Sequence, residues 1–234
     1  MTDSVACVIP AYQASRTLVR VAEGLRAALP GAVLVAVDDG STDATARVAR
    51  ATCDHLVRLG GNRGKGAALR AGVAIGLAKG ATAIITVDAD GQHDPVYAPA
   101  LIAALERADI AIGARARGGS EMPIGRRITN GLSAVAMTAV TGTCLVDPQS
   151  GFRALRRAVL ESIEPVGDGY EYEADLLIRA CRAGFRVASV RVPTIYGAES
   201  HFRVSDGLTV VRTIWRHRHG ALQRTLSLAA VGQA

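Results

Sequence analysis

Asp88 and Asp90, with Gln92 two positions further on, follow directly on the apolar run Ala83-Ile84-Ile85-Thr86-Val87. If that strand continues through Ala89, the alternation of side chains turns both carboxylates to one face. A strand ending this way at the carboxyl edge of a parallel sheet aims its acids into the crevice where such sheets bind ligands. Two carboxylates so close repel, and burial raises their pKa, unless a cation neutralises them. Mg2+ or Mn2+ held by one or two carboxylates, by the amide oxygen of Gln92 and by substrate phosphates meets that need. Alone, the same run reads equally well as a solvated turn with Asp94-Pro95 starting a helix.

Three further stretches carry matching chemistry. Pro10-Ala11-Tyr12 ends the first apolar run and Asp38-Asp39-Gly40-Ser41 the second, so both fall on the same rim as Asp88. There an acid can accept hydrogen bonds from a ribose hydroxyl or a base imide, and Tyr12 offers a flat face to the base; by itself, Asp-Asp-Gly-Ser is also an ordinary turn before a helix. Asn62-Arg63-Gly64-Lys65-Gly66 has the glycines and the following helix of a phosphate loop, although without P-loop spacing, and is equally a tight turn. No Gly-x-Gly-x-x-Gly run follows the first strand, which argues against a dinucleotide cofactor.

The elements that must position these residues alternate in type. Strands are expected over Val5–Ile9, Ala32–Val37, His55–Val57, Ala83 onward, Ile110–Gly113, a short run to Leu155, and Arg186–Val192. Helices are expected over Ala14–Ala28, Ala44–Arg50 with Asp43 as cap, Gly64 to about Lys79, Pro95–Arg107, from Arg157, Glu171–Ala183 and Ser205 to about His219. Such βαβ alternation calls for an α/β domain with a mainly parallel, Rossmann-like sheet flanked by helices. We expect one domain over 1–234: a nucleotide-binding half at about 5–115, an acceptor-side elaboration at about 116–219, and a tail at 220–234.

Composition narrows the partners. Apolar content is 49% with only 4% aromatics, and the net charge of +6 favours anionic ligands. The arginines are scattered and few rings are available for base stacking, so no nucleic-acid partner is expected. Four dispersed cysteines without zinc spacing read as small apolar residues in a reducing compartment. The start of the chain lacks a basic leader, so no signal peptide and a cytoplasmic location are expected. Ile128–Val146 is free of charge over 19 residues. We read it as a helix packed partly on protein and partly against an apolar ligand or bilayer edge.

Taken in order, "VIPAY", "VDDGSTD", "NRGKGAALRAG", "VDADGQHDP", "GAR", "DPQSGFRAL" and "YEYEADLLIRA" resemble the inverting family 2 glycosyltransferases of the GT-A fold. Within these they are most similar to the dolichyl-phosphate mannose or glucose synthase branch, over about Val5 to Gly207. The resemblance implies transfer of a hexose from a GDP-mannose- or UDP-glucose-like donor to a polyprenyl phosphate. It implies Mg2+ or Mn2+, a peripheral position at the inner face of the membrane, and possible homo-oligomers. By position, Pro10, Ala11, Tyr12, Val37, Asp39 and Lys65 fall to the donor, as do Asp88, Ala89, Asp90 and Arg115. Asp88, Asp90 and Gln92 match the metal and diphosphate motif. Arg115, Arg126 and Asn130 match acceptor-phosphate positions, with Arg127 as a competitor and His201 and Arg203 as further candidates. Asp147 matches an acid proposed as base in relatives, so the catalytic set is Asp88, Asp90 and Asp147.

Departures accompany the resemblance. Gln13-Ala14 stands where many relatives carry Asn-Glu, His201 replaces a lysine, and no C-terminal transmembrane hairpin is seen. Three alternatives are weighed beside it: another acceptor, a sugar-1-phosphate nucleotidyltransferase, and a non-catalytic nucleotide-sugar binding module.

Overall fold

The computed structural model describes residues 4–115, 134–193, 212–214 and 216–217. Its strands are β1 (Val5–Ala11), β2 (Val33–Asp38), β3 (His55–Arg58), β4 (Ala83–Thr86), β5 (Ile110–Arg115), β6 (Arg153–Arg156) and β7 (Val187–Val192). They form one sheet in the order β3-β2-β1-β4-β6-β5-β7. All pairings are parallel except those of β6, which runs antiparallel between β4 and β5. The expected mainly parallel α/β sheet is therefore present, with one inverted strand that delivers the "DPQSGFR" turn to the rim.

The helices are α1 (Leu18–Ala28), α2 (Thr45–Thr52), α3 (Lys65–Ala78), α4 (Ala98–Ala104), helical residues 134–141 (α5), α6 (Arg157–Ser162) and α7 (Glu171–Arg182). Central strands are buried on both faces, which is why they read as unbroken apolar runs. Cys7, Ile9 and Ala11 pack toward α1 and α4, whereas Ala6 and Val8 face α3 and α7. On α1 the stripe Leu18, Val21, Ala22 and Leu25 is buried, and each of Leu18, Val21 and Leu25 contributes about 1.5–3 kcal/mol when fully removed from water. Gly72 and Gly76 bring α3 flush onto the sheet, since a Cβ at either would strike Val8 or Ile84.

Several boundaries differ from expectation. Helix α1 begins at Leu18 rather than Ala14: the residues before it form a turn closed on Ala14 O by Thr17 N–H (3.1 Å) and Leu18 N–H (3.0 Å), while Ala14 N–H donates to Thr45 Oγ1 (2.8 Å) and Ser15 N–H to Asp43 (3.2 Å). The expected helix from Pro95 is a 3-10 turn, Pro95–Tyr97, followed by α4. Pro99 lacks the N–H needed to carry an α-helix through from Pro95. Strand β4 stops at Thr86; Val87 N–H still donates to Val8 (3.1 Å), but the chain then turns. Asp88 and Asp90 are thus residues of a turn, not of one strand face.

The apolar segment is divided as well. Residues 128–133 lie outside the described part, and α5 ends before Gly142, whose φ is +69°. Leu145 N–H then returns to Thr138 Oγ1 (3.2 Å), so the run closes as a loop. Among the described residues no helix is long and apolar enough to cross a membrane. Of the expected C-terminal basic helix, residues 212–214 and 216–217 are helical, with Ile214 buried in the cluster that joins α5 and α7. The four cysteines are free, Cys7 being fully buried and Cys144 exposed.

Candidate active site

The rim is assembled from the loops that follow β1, β2, β3 and β4, the start of α3, the turn before β6 and the start of α7. Its first part is a laced floor. Asp39 is 4% exposed, and its two carboxylate oxygens accept from Arg63 N–H (2.7 Å) and Gly64 N–H (2.8 Å). It thereby ties the loop after β2 to the entrance of α3. Each oxygen retains lone-pair capacity, so the acid expected to bind a nucleoside also builds the loop beside it. Asp38 is fully buried, accepts from Ser41 N–H (2.9 Å) and lies 3.2 Å from the Arg58 Nε atom.

Gln13, at φ +52°, is the non-glycine residue found in the left-handed region among those described. Its N–H donates to Ser41 Oγ (2.9 Å), its side-chain Nε2 donates to Thr42 Oγ1 (2.8 Å), and its side-chain Oε1 accepts from Asp43 N–H (3.2 Å). These bonds offset the strain of that backbone and join the loop after β1 to the loop after β2. Burial pushes the Asp43 carboxyl up, but hydrogen bonds from Ser15 and Thr45 outweigh it and hold the pKa at about 2.

At the centre, Lys65 Nζ sits 2.7 Å from Asp88 Oδ1 and 2.8 Å from Glu173 Oε2. Burial alone would lower the lysine's pKa, yet the two carboxylates raise it instead, and Asp88 is lowered in turn because Lys65 outweighs its burial. Asp90 has the opposite fate. Burial and the neighbouring Asp88 charge raise it to about 6, with Gln92 N–H (2.9 Å) as its close hydrogen bond and no ion pair among the described residues. Arg20, from α1, donates to Gly91 O (3.0 Å) and pins this turn from outside.

Across the site Arg115 grips Asp147 through Nε (2.7 Å), Nη2 (2.9 Å) and its backbone N–H (3.1 Å). Burial would raise the Asp147 pKa, but the guanidinium outweighs it and holds the acid below the usual carboxylate range. Beneath both pairs lies His93, buried and lowered to about 4 by desolvation, its ring 5.5 Å from that of Phe152. Its Nδ1 has no hydrogen-bond partner among the described residues, and its Nε2 lies 3.5 Å from Ser150 Oγ.

The turn before β6 is organised by Arg153, which is 2% exposed and donates to Pro148 O (2.7 Å), Ser150 O (2.8 Å) and Glu173 O (3.0 Å). Its Nε lies 3.9 Å from Glu173 Oε1, an ion-pair distance but not a hydrogen bond, so that buried oxygen has no hydrogen-bond partner among the described residues. Gly151 lets the turn touch the central pair, since a Cβ there would strike Asp88 Oδ2 and fall 2.7 Å from Lys65 Nζ.

The expected residues therefore divide into three sets. Lys65, Asp88, Asp90, Gln92, Arg115 and Asp147 gather at one rim, with Pro10 and Tyr12 half-buried at its β1 end. Ala11, Val37 and Ala89 lie in the core, at 3%, 0% and 4% exposure, and support the rim from beneath rather than offering side chains to a ligand. Arg126, Arg127, Asn130, His201 and Arg203 lie outside the described residues. Glu173 and His93 are participants to which sequence reasoning assigned no role. An acid in the first turn of a helix otherwise buried along its length was the available signal for Glu173.

The oxygen set suits a hard divalent ion in part. Asp90 offers a carboxylate without a counter-charge, whereas Asp88 already has one, and no group of three or more His, Cys, Asp or Glu that could hold a metal occurs among the described residues. A Mg2+-like site built from one or two carboxylates and substrate phosphates fits that description.

A family model for glycosyl transferase family 2 matches residues 6–164. The chain is 29% identical over 234 residues to the undecaprenyl-phosphate mannosyltransferase of Micrococcus luteus, covering 95% of this chain and 96% of the relative. It is 32% identical over 204 residues to the polyprenol monophosphomannose synthase of Mycolicibacterium smegmatis, covering 82% and 77%. Among solved structures it superposes on glucosyl-3-phosphoglycerate synthase from Mycobacterium tuberculosis, crystallised with Mn2+, UDP and glucosyl-3-phosphoglycerate. That likeness has a TM-score of 0.76 and 23% identity, with 92% of this chain and 80% of the other covered, and it establishes the fold.

Proposed function

The chain belongs to glycosyl transferase family 2 and has the GT-A fold, and from that premise we propose that it transfers a hexose from a nucleotide sugar to a polyprenyl phosphate, with inversion. The donor is of the GDP-mannose or UDP-glucose class. The observation that carries the reading is the grouping of Asp90, which has no ion-pair partner among the described residues, with the Lys65–Asp88 and Arg115–Asp147 pairs on one rim. The names of the relatives support the lipid acceptor.

In this mechanism an acceptor phosphate oxygen forms a bond to the anomeric carbon while the bond from that carbon to the nucleoside diphosphate breaks. Asp90, with Gln92 and Asp88 beside it, would hold the divalent ion, which when bound compensates the charge that grows on the leaving diphosphate. Lys65 keeps Asp88 ionised and in place. A phosphate monoester is already largely anionic at neutral pH, its second pKa being about 6, so no strong base is required. Asp147, held by Arg115, accordingly orients Arg115 and the acceptor pocket instead of removing a proton.

The reading includes work at a membrane surface. Val135 (70% exposed) and Val146 (38%) present apolar side chains on the 134–146 segment, and Arg212 and Arg216 are exposed. Exposed apolar side chains and exposed arginines are the two kinds of group that an anionic bilayer face would engage. Incubation with Mg2+ or Mn2+, a panel of nucleotide sugars and short polyprenyl phosphates, followed by mass analysis of the lipid, tests the assignment. A polyprenyl phosphohexose is expected; transfer only to a soluble acceptor would overturn the lipid reading.

A further inference from the structure

Lys65 supplies the counter-charge of Asp88. Its side chain is 12% exposed, and its ammonium lies 2.7 Å from Asp88 and is shared at nearly equal distance with Glu173. The lysine is fixed from several sides: it opens α3, the backbone of that first turn touches Asp168 and Gly169, and the ammonium stands 5.5 Å from the Tyr170 ring. Gly151 closes the remaining side of the pair. Asp88 therefore already has a counter-charge from the protein itself, shared with Glu173, whereas Asp90 beside it has no ionic partner among the described residues.

We propose that Lys65 and Glu173 are positioning residues that set how the site loads a divalent ion: Lys65 occupies Asp88 and makes the protein alone a weak metal site, while Glu173 draws the ammonium away and tempers that effect. This rests on the glycosyltransferase reading, in which a donor diphosphate supplies the missing oxygen ligands. Metal and nucleotide then bind with positive coupling, each raising the affinity for the other by the same factor. The geometry predicts opposite signs for changes at the two residues. Removing the lysine leaves Asp88 and Asp90 facing each other without a counter-charge, which a cation relieves. Removing the Glu173 charge leaves Lys65 wholly to Asp88, which a cation must then work against.

The test is Mn2+ binding, followed by electron paramagnetic resonance and calorimetry, to the full chain with and without GDP or UDP. Wild-type protein should bind Mn2+ at least about tenfold more tightly with a nucleotide diphosphate than without it. Lys65→Met should bind Mn2+ without nucleotide at least about tenfold more tightly than wild type, a change equivalent to about 1.4 kcal/mol. Glu173→Gln should shift Mn2+ affinity in the opposite direction, which loss of structure at a shared site would not produce for one variant and reverse for the other. Should Lys65→Met fail to fold, the Glu173→Gln result stands alone as the test, with thermal unfolding confirming its native state.

Unchanged Mn2+ affinity in these variants, with Mn2+-dependent nucleotide binding intact, would overturn the role of Lys65 and leave the transferase reading standing. Nucleotide binding absent at any Mn2+ concentration, with the two opposed shifts observed, would uphold the Lys65–Glu173 device and overturn the transferase reading. Equal Mn2+ affinity with and without nucleotide in wild type would overturn the coupling.

Discussion

Arg115 and Asp147 form a two-pronged ion pair, Nε to Oδ2 at 2.7 Å and Nη2 to Oδ1 at 2.9 Å, and the backbone N–H of the same arginine adds a third bond at 3.1 Å. An acid gripped in this way is a poor proton acceptor and a good anchor.

Asp147→Asn should therefore leave the shape of the kcat–pH profile unchanged while raising the KM for acceptor. Loss of the pair should cost about 2 kcal/mol of stability, within the range for partly buried charged hydrogen bonds. Because its folded pKa is depressed, the contribution of Asp147 is present above its unfolded value near 3.8 and lost as pH falls through the lower folded value. Disappearance of a basic-side or acid-side limb of the kcat profile in the variant would assign Asp147 to proton transfer after all.

Asp90 and His93 act on stability in opposite directions over an overlapping pH window. Asp90, raised to about 6, takes up its proton in the folded protein before the unfolded chain does, so it contributes stability as pH falls from about 6 toward 4. His93, lowered to about 4, is buried neutral, and its contribution is lost as pH falls below its unfolded value near 6.5. Asp90→Asn removes only the first effect. It should raise Tm at pH 7.5 by about 2–4 °C, the size of a 1 kcal/mol gain in a domain of this length. Transfer should fall at least about 100-fold, the scale of losing an electrostatic partner to developing charge. Matching Tm–pH curves for variant and wild type would show that Asp90 carries no such burden.

Gly151→Ala should destabilise the protein by about 1–3 kcal/mol, as overpacking does, and lower transfer with it. The added Cβ meets Asp88 and Lys65 directly, so the turn before β6 must retreat from the central pair. Replacement of Gly80 by Ala supplies the comparison: its Cβ meets nothing within 4 Å, so any loss there comes from its φ of +82° and leaves Asp88 untouched. Equal transfer activity for the two folded variants would argue against the contact.

Arg212 and Arg216 are exposed on the helical residues that carry buried Ile214 inward. Changing both to Glu should reduce binding to vesicles containing phosphatidylserine by at least about tenfold, since each basic residue near such a surface contributes about 1 kcal/mol. Binding to neutral vesicles should change little. Sedimentation with the two vesicle types measures it, and equal sedimentation of wild type with both would remove the anionic surface as a partner.

Much of the frame was legible because its signals are local. The alternation of apolar strands with amphipathic helices, the turn residues after each strand, and the order of the rim stretches all lie within short windows, and side-chain period and backbone sterics act over just such distances. Asp88, Asp90, Lys65 and Arg115 could be placed on a common edge because parallel crossovers return the chain to it. Boundaries were less readable where long-range partners took over the backbone. The turn that stands before α1 is tied at Ala14 and Ser15 to Thr45 and Asp43 of a distant stretch, and β6 enters antiparallel between β4 and β5.

By itself, then, the sequence determined the α/β alternation, the family resemblance and most of the charged residues that gather at the rim, Glu173 excepted. Only the tertiary structure decided who pairs with whom. Lys65 lies with Asp88 and Glu173, Arg115 with Asp147, and Asp90 without an ion-pair partner among the described residues. Charge type is a property of each residue, but the distance and burial that turn charges into pairs depend on how α3, α7 and the turn before β6 pack around one point. Coulomb energy falls with separation and rises as water is excluded, and neither quantity is written in a local stretch of chain.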